Sequence, residues 1–402
     1  MGFIAPAGTP IGATDLLMGL GAGLLGPGAH REFATLLAHH SGRDQSWLMS
    51  SGRAAMSLAL EAMKRISDSR RRQVIIAGYT CYSVPAAVER AGLEIRLCDI
   101  DPRTLSISTD DLQRFDPSRV LCVVSANLYG MPNNLHELER FAASNGIFML
   151  DDAAQSLGAR LDDRPVGGFG DIGLYSFDKG KNITTMQGGA LVSSHVRLAQ
   201  QITDILSHWP TQPAISTLAY AMKLAIYGLL LKPSLYGITQ RLPFLGLGRT
   251  PYEPSCPQTQ LGDCLSGLGL RLARRLDDIN RIRQQNAMRL RRSLEDLAGI
   301  ELIDAIPGSE CVYSRFPIRV ADASVRDALI DSLRSTGIGA TCSYPSALVD
   351  VPELAGKLHP DDLLQTGSRD IARTIVTLPT HAYCPSDLGE QVRRLIVRTV
   401  AI

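Results

Sequence analysis

The chain lacks the features that mark several common classes of protein. Its 402 residues include eight cysteines, but none of them forms a C-x-x-C pair or another spacing typical of a zinc site or a disulfide framework. We therefore expect reduced thiols, no resident metal and a cytoplasmic location. The formal net charge is only +1, so there is no electrostatic reason to expect a nucleic-acid partner.

Long apolar runs are also scarce. The N-terminal stretch is apolar but has no basic region, so it does not predict a signal peptide. Residues 214–248 are strongly apolar, yet three basic residues and two prolines interrupt them, whereas a membrane-spanning helix needs about 20 uninterrupted apolar residues. This apolar insert is either a buried or subunit-interface helical pair, or an amphipathic face for a membrane surface (a peripheral contact) or for an apolar substrate.

Short β-rich runs alternate with helical patterns through the first half of the chain. The runs RQVIIAGYT, EIRLCDI, RVLCVVSAN and IFMLDDA predict strands, with helical patterns between them. This alternation predicts an α/β fold with a mostly parallel sheet that helices cover on both faces. Ligands bind to such sheets beyond the carboxyl ends of the strands.

The second half of the chain predicts a smaller unit. A charged helical stretch over residues 261–297 precedes the predicted strand YSRFPIRV, the predicted helix SVRDALIDSLRSTG and the predicted strand IGATCSYP. We therefore predict a large α/β domain over residues 1–250, which includes the insert. A connecting helix and a small α+β domain are predicted over residues 251–402.

Two motifs place polar groups where predicted strands end. MLDDAAQSLGA (residues 149–159) ends a strand with two carboxylates, although aspartate at such a turn is often only a helix cap. SFDKGKNITTMQGG (residues 176–189) follows another strand and contains Lys179 and Lys181. A partly desolvated lysine is a better nucleophile at neutral pH, and such lysines form Schiff bases with pyridoxal phosphate. That cofactor also needs a carboxylate at its ring nitrogen and donors for its phosphate.

A third motif, LMSSGRAAMSLAL (residues 48–60), predicts a helix that begins at a glycine after two serines. The first amides of a helix have no partner within it and attract phosphate, and Arg53 adds a cation there. A plain serine-capped helix explains this motif equally well when it is taken alone.

Together these motifs resemble those of the DegT/DnrJ/EryC1/StrS family of pyridoxal-phosphate-dependent sugar aminotransferases, which have fold type I. The resemblance covers nearly the whole chain. It rests on SGRAAMSLAL, NLYGMP, DDAAQSLGA, SFDKGKNITTMQGG, the pair Tyr344-Pro345 and LPTH, which occur in the family's order and spacing. It implies a large domain with a seven-stranded type of sheet and a small C-terminal α+β domain.

The resemblance also implies roles for individual residues. Lys181, and not Lys179, matches the lysine that forms the Schiff base and transfers protons. Asp152 matches the carboxylate at the pyridine nitrogen, and Gln155 matches the residue near the phenolic oxygen of pyridoxal 5′-phosphate. The implied phosphate site consists of Ser176, Gly52, Arg53 and Ala54.

Three features depart from the family pattern. The aromatic residue that stacks on the cofactor ring aligns with Cys81, so we expect Cys81 or the adjacent Tyr82 to pack there. Arg53 replaces a threonine. The loop in which a partner subunit's asparagine reaches the phosphate falls near EPSCPQTQL, which has no asparagine or arginine. Our hypothesis is that Arg53 supplies the missing phosphate contact.

The resemblance implies a homodimer that transfers an amino group, with glutamate as the expected donor, to a nucleotide-linked ketosugar. Family members with histidine in place of the lysine act as sugar dehydratases, and Lys181 argues against that activity. Two alternatives stay open. One is a pyridoxal-phosphate aminotransferase that acts on a lipid-like or polyketide-like carbonyl, as the apolar insert suggests. The other is a non-catalytic regulator with this fold, against which Lys181, Asp152 and Gln155 weigh.

Overall fold

The structure is a computed structural model that describes residues 2–24, 28–239 and 252–399. The strands are β1 (Gln45–Met49), β2 (Gln73–Ala77), β3 (Glu94–Cys98), β4 (Val120–Ala126), β5 (Phe148–Asp152), β6 (Arg160–Leu161), β7 (Arg164–Pro165), β8 (Ile172–Ser176), β9 (Gly189–Ser193), β10 (Ile300–Leu302), β11 (Ser309–Glu310), β12 (Phe316–Val320) and β13 (Ile375–Leu378). The helices are α1 (Ala13–Leu24), α2 (Gly28–Ser41), α3 (Gly52–Ile66), α4 (Ser83–Arg90), α5 (Thr109–Leu112), α6 (Leu135–Asn145), α7 (Val196–Ser207), α8 (Ala214–Leu230), α9 (Pro233–Thr239), α10 (Asp263–Ala273), α11 (Leu276–Leu294), α12 (Ala323–Ser335), α13 (Thr366–Thr374) and α14 (Leu388–Thr399).

The central sheet has seven strands in the order β1-β9-β8-β5-β4-β2-β3. Strand β9 is antiparallel to both of its neighbours, and the pairings from β8 through β3 are all parallel. Every residue of β4 is buried, as expected for a strand with helices on both faces of the sheet. The predicted α/β fold with a mostly parallel sheet is therefore confirmed.

Helices form an apolar layer on each face of this sheet. Leucines and alanines of α3, α4 and α7 build one layer, and α2, α6 and α10 contribute to the other. The buried face of α3 is rich in alanine, including Ala55, Ala59 and Ala62, whose small side chains let the helix lie close to the strands. Such packing fixes the first turn of α3 against the end of the sheet.

The C-terminal part of the chain builds a second, smaller sheet in which β12 pairs antiparallel with β10 and β13. Side chains of α11, α12 and α14 cover it. The helical stretch predicted over residues 261–297 is two helices, because Arg275 leaves the helical conformation between them, and the first, α10, packs on α1 and α2. The strand predicted at IGATCSYP is present only as isolated bridges at Ile338 and Thr341, since Ser343 has a positive φ of 61° that ends any extended run.

The apolar insert forms a helical pair, α8 and α9, with Pro233 as the first residue of the second helix. Residues 240–248 of the insert lie outside the described residues. Leu224 and Leu231 are buried, whereas Met222, Ile226 and Leu229 are more than half exposed along one side of α8. None of the described helices is both long enough and apolar enough to cross a membrane.

Candidate active site

A cavity of about 910 Å³ lies beyond the carboxyl ends of β2, β4, β5 and β8, where the sheet topology places a ligand. Residues of the large domain and of the small C-terminal domain line this cavity. The large domain contributes the first turn of α3, the strand ends and residues 178–181, and the small domain contributes residues 314–315 and 341–344. Helix α8 closes a further side. The volume of the cavity is in the range typical of sites for small ligands and cofactors.

Lys181 and Asp152 both line this cavity. Burial raises the pKa of Asp152, and the charge of Lys181 opposes that rise, so the two groups are near enough to interact. Asp152 Oδ1 accepts a hydrogen bond of 3.0 Å from the N–H of Ala154. Its other oxygen accepts none from the described residues and is available to a ligand.

The neighbouring carboxylate, Asp151, lies on the opposite side of β5, as strand alternation requires. It accepts hydrogen bonds from Asn127 Nδ2 at 2.7 Å and from the backbone N–H groups of Gly167 at 2.6 Å and Phe169 at 3.3 Å. Burial raises the pKa of Asp151 to about 6, although these donors oppose the rise. Of the two carboxylates in DDAAQ, Asp151 therefore secures the loop after β7, and only Asp152 faces the cavity.

The loop that carries Lys181 is held from the N-terminal segment. Thr9 Oγ1 lies 2.7 Å from the carbonyl oxygen of Lys181 and 3.0 Å from that of Asn182, to which it donates. Arg283, which is fully buried, donates to Gly8 and to Thr9 Oγ1, and burial lowers its pKa to about 10. These contacts fix the backbone at Lys181, while Lys179 is exposed at the rim of the cavity.

The first turn of α3 and the end of β8 form a narrow corner of the cavity. A Cβ at Gly52 would lie 3.0 Å from the Cβ of Ser176, so glycine is what lets the serine approach the helix. Ser51 caps α3 by accepting the N–H of Ala54 at 3.1 Å. The N–H groups of Gly52 and Arg53 therefore remain without a partner within the helix and can bind an anion, whereas that of Ala54 is already taken.

The guanidinium of Arg53 contacts the segment that follows the insert. It lies 3.5 Å from the carboxylate of Glu253 and donates to the carbonyl oxygens of Glu253 and Ser255. Ser50 also holds this segment through Pro257 and Thr259. The segment where the family asparagine is missing thus packs on α3 of the same chain.

Of the remaining predicted site residues, Cys81 and Gln155 line the cavity and Tyr82 does not. The hydroxyl of Tyr82 instead donates to the carbonyl of Ser346 at 3.3 Å. Gln155 lines the cavity, where it accepts from the N–H of Tyr129 at 3.2 Å and donates to the hydroxyl of Tyr344 at 3.0 Å.

The structure also adds residues to which the sequence analysis assigned no role. Tyr129, Met186 and Ser343 line the cavity and have positive φ values, which are costly for residues other than glycine and are concentrated at functional sites. Arg315 and Thr341 enter from the small domain. Helix α8 contributes Tyr220, Lys223, Ile226, Tyr227 and Leu230. Only the pair Tyr344-Pro345 gave any sequence signal for the small-domain wall.

These groups fit pyridoxal 5′-phosphate. The cavity has an amine, a carboxylate with one free oxygen, and a corner with helix N–H groups and a serine hydroxyl, which are the groups that the cofactor's aldehyde, ring nitrogen and phosphate require. Cys81 and Ala154 supply small side chains in the same wall. The residues that would hold the cofactor are therefore present in one chain.

Comparisons with known proteins show the family and the fold of the chain. The profile of the DegT/DnrJ/EryC1/StrS aminotransferase family matches residues 20–396. The dTDP-4-dehydro-2,3,6-trideoxy-D-glucose 4-aminotransferase of Saccharopolyspora spinosa is 24% identical over 89% of this chain and 85% of its own. The GDP-4-keto-6-deoxy-D-mannose 3-dehydratase of Yersinia pseudotuberculosis is 28% identical over 44% of this chain, and the match spans only about half of that relative, 46%.

Solved structures extend the likeness over the whole chain. Helicobacter pylori PseC, an aminotransferase involved in pseudoaminic acid biosynthesis, has a TM-score of 0.80 at 16% identity and covers 99% of both chains. The aminotransferase TlmJ from Streptoalloteichus hindustanus has a TM-score of 0.78 at 21% identity, over 100% of this chain and 99% of its own. The fold is therefore fold type I.

Proposed function

The chain belongs to the DegT/DnrJ/EryC1/StrS aminotransferase family, and on that premise we propose that it is a pyridoxal-phosphate-dependent aminotransferase that moves an amino group from an amino acid, with glutamate as the expected donor, to a nucleotide-linked ketosugar. The observation that carries the proposal is that Lys181 and Asp152 share one cavity and interact there. The names of relatives, such as the 4-aminotransferase of S. spinosa and the GDP-perosamine synthase of Vibrio cholerae, support the substrate class.

Each residue has a task in this proposal. When bound, pyridoxal 5′-phosphate supplies an aldehyde that takes up amines and a ring that accepts electrons from the carbon being deprotonated. Lys181 would hold the cofactor through its amine and, when that amine is free, would remove the proton from the donor's α-carbon as a general base. Asp152 holds the proton at the ring nitrogen. Ser176 and the N–H groups of Gly52 and Arg53 hold the phosphate.

The presence of lysine at position 181 favours amino transfer over dehydration. Dehydratases are among the relatives, and the family resemblance implies that dehydration accompanies a histidine at this position. A lysine amine can both hold the cofactor and carry a proton between two carbons. We also propose that the chain acts as a homodimer, as the resemblance implies, which its molar mass in solution tests.

A half-reaction screen tests the proposed function. The holoenzyme is first converted to its amine-loaded form with glutamate, separated from the keto acid, and then mixed with single keto compounds while its visible spectrum is followed. We expect nucleotide-linked ketosugars to restore the original spectrum. If glutamate and other amino acids leave the spectrum of the cofactor-loaded protein unchanged, the protein is not an aminotransferase.

Arg53 gives a prediction about cofactor affinity. Replacing Arg53 with alanine removes a cation next to the proposed phosphate corner and releases Glu253 and Ser255, so we expect the Kd for pyridoxal 5′-phosphate to rise by about 10-fold, the usual value of one charge-assisted hydrogen bond. Fluorescence titration of the apoprotein measures this Kd. Arg65→Ala is the control, because Arg65 lies in the last turn of the same helix. Equal affinity of Arg53→Ala and wild type refutes the hypothesis.

The apolar wall of the cavity favours a second candidate function. Ile226, Tyr227 and Leu230 line the cavity, and Ile226 also belongs to the exposed apolar side of α8. An apolar surface that continues from solvent into the cavity suits an acceptor with a lipid-like or polyketide-like chain beside its carbonyl. In this alternative the donor half-reaction is the same and only the acceptor differs.

A matched pair of variants tests this alternative. Ile226→Glu places a charge in the cavity wall. Leu229→Glu places a charge on the same exposed side of α8, but Leu229 does not line the cavity. For an apolar acceptor we expect Ile226→Glu to lower kcat/KM by about 10-fold or more, given the cost of losing one buried apolar side chain. Leu229→Glu should match wild type. If the enzyme converts nucleotide-linked ketosugars and is inactive on apolar aldehydes and ketones, the lipid-like or polyketide-like acceptor is excluded.

A further inference from the structure

Arg315 is a cation in the cavity for which the described residues offer no anionic partner. It lies directly before β12 and lines the cavity from the small-domain side. Its Nη1 donates to two neutral hydroxyls, Thr341 Oγ1 at 2.9 Å and Ser343 Oγ at 3.3 Å. No carboxylate of the described residues lies within ion-pair distance of it, and neither Nη2 nor Nε donates to any of them.

Two other arginines pair with carboxylates, whereas Arg283, whose charge interacts with that of Arg315, has neutral partners but is fully buried and does not line the cavity. Arg319, four residues further along the chain, pairs with Glu301 at 2.8 Å and with Asp370. Arg53, which also lines the cavity, pairs with Glu253. Arg315 is partly exposed to the cavity, and its Nε and Nη2 have no partner among the described residues, so they can bind an anion that enters there. The missing partner of Arg315 is therefore a group that enters the cavity.

The contacts around Arg315 hold it in one orientation. Thr341 and Ser343 each lie close to Thr377 Oγ1, at 3.1 and 3.2 Å, so their hydroxyls are fixed from behind. Ser343 adopts a positive φ of 61°, a strained conformation that places its side chain beside the guanidinium. The next residue, Tyr344, bonds Gln155 at 3.0 Å, and Gln155 lies three residues after Asp152. This chain of contacts links Arg315 to the wall that carries the reacting groups.

We propose that Arg315 binds the α-carboxylate of the amino-acid donor, an assignment that rests on the proposed function. The free Nη2 and Nε form a planar fork that matches a carboxylate. Every amino-acid donor carries that carboxylate on the carbon that loses the proton, so a cation in the cavity that Lys181 and Asp152 share can bind it while that carbon reacts. The phosphates of a nucleotide-linked sugar are the other anionic source, but the sugar ring separates them from the reacting carbon.

The experiment measures the two half-reactions separately in Arg315→Gln, Arg315→Lys and wild-type holoenzyme. Single-turnover spectra with increasing glutamate give the donor half-reaction, and amine-loaded enzyme with its ketosugar gives the acceptor half-reaction. Calorimetric titration with glutarate, a dicarboxylate without an amine, measures anion binding without turnover. Arg319→Gln, four residues further along the chain in β12, is the control, and thermal unfolding and cofactor content are measured for every variant.

We expect Arg315→Gln to weaken glutarate binding and to lower the donor half-reaction by about 10- to 100-fold, the range for a lost hydrogen-bonded charge. The acceptor half-reaction should change little, Arg315→Lys should recover part of the loss, and Arg319→Gln should retain both half-reactions. Unchanged glutarate binding, or a loss confined to the acceptor half-reaction, overturns the proposal, and the second result assigns Arg315 to the phosphates. Absence of a donor half-reaction in the wild type refutes the proposed function instead.

Discussion

Replacement of Lys181 by alanine is expected to lower the rate of amino transfer by at least about 10⁴-fold, because one residue supplies both the attachment point and the proton transfer, and proton transfer alone contributes about 10²- to 10⁴-fold. The visible absorbance of the bound cofactor should also change, since the covalent link to the protein is lost. Single-turnover spectra with glutamate measure the rate, and the spectrum of the resting protein measures the link.

Lys179 provides the matched control for this prediction. It is the other lysine of the motif, two residues away, and its side chain is exposed at the cavity rim. Lys179→Ala should keep the wild-type spectrum and nearly the wild-type rate. Loss of the spectrum in Lys179→Ala, with Lys181→Ala unaffected, would reverse the assignment of the two lysines.

Replacement of Asp152 by alanine is expected to lower the rate of amino transfer by about 10²- to 10³-fold, the usual effect of removing one electrostatic partner of the reacting group. The fold should lose little stability. Asp152 has a single hydrogen bond from the described residues, and burial raises its pKa, so the carboxylate is less favourable in the folded than in the unfolded state at neutral pH. Its removal therefore relieves an unfavourable charge.

The neighbouring Asp151→Ala variant should give the opposite result. It leaves the N–H groups of Gly167 and Phe169 buried without an acceptor, and it removes one of the three acceptors of Asn127 Nδ2. We expect the free energy of unfolding to fall by about 2 kcal/mol, since two unsatisfied buried donors cost about 1–3 kcal/mol each and the loss of a carboxylate whose pKa burial raises offsets part of that cost. Denaturant unfolding of both variants, with the rate of amino transfer per folded cofactor-loaded molecule, separates the two roles. An inactive, fully stable Asp151→Ala would contradict this separation.

The part of the site that lies at strand ends was predictable from the sequence. Asp152 and Ser176 end β5 and β8, and parallel strands bring their carboxyl ends to one edge of the sheet. The first turn of α3 follows β1, so its place beside Ser176 depends on the pairing of β1 with β9. The positions of Asp152 and Ser176 follow from the sequence patterns that predict the strands and from the rule that ligands bind at the carboxyl ends of parallel strands.

The small-domain wall was not predictable in the same way. Arg315 stands in YSRFPIRV, a sequence that predicts only a strand, and its place in the cavity depends on the packing of residues more than a hundred positions away. The positive φ of Ser343 was not predictable, because the residue at this position is not glycine. The sequence aligned Cys81 with the stacking position and left the adjacent Tyr82 as an alternative, and the structure places only Cys81 in the cavity lining while Tyr82 bonds Ser346.

Trapping of the cofactor on the protein tests the central claim most directly. Holoenzyme is treated with borohydride, which makes the lysine–cofactor link permanent, and is then digested for peptide mass spectrometry. We expect a pyridoxyl-phosphate adduct on the peptide that contains Lys181, and no adduct on the same peptide of Lys181→Ala. An adduct on Lys179 or Lys223, or a protein that binds the cofactor without any adduct, would contradict this expectation.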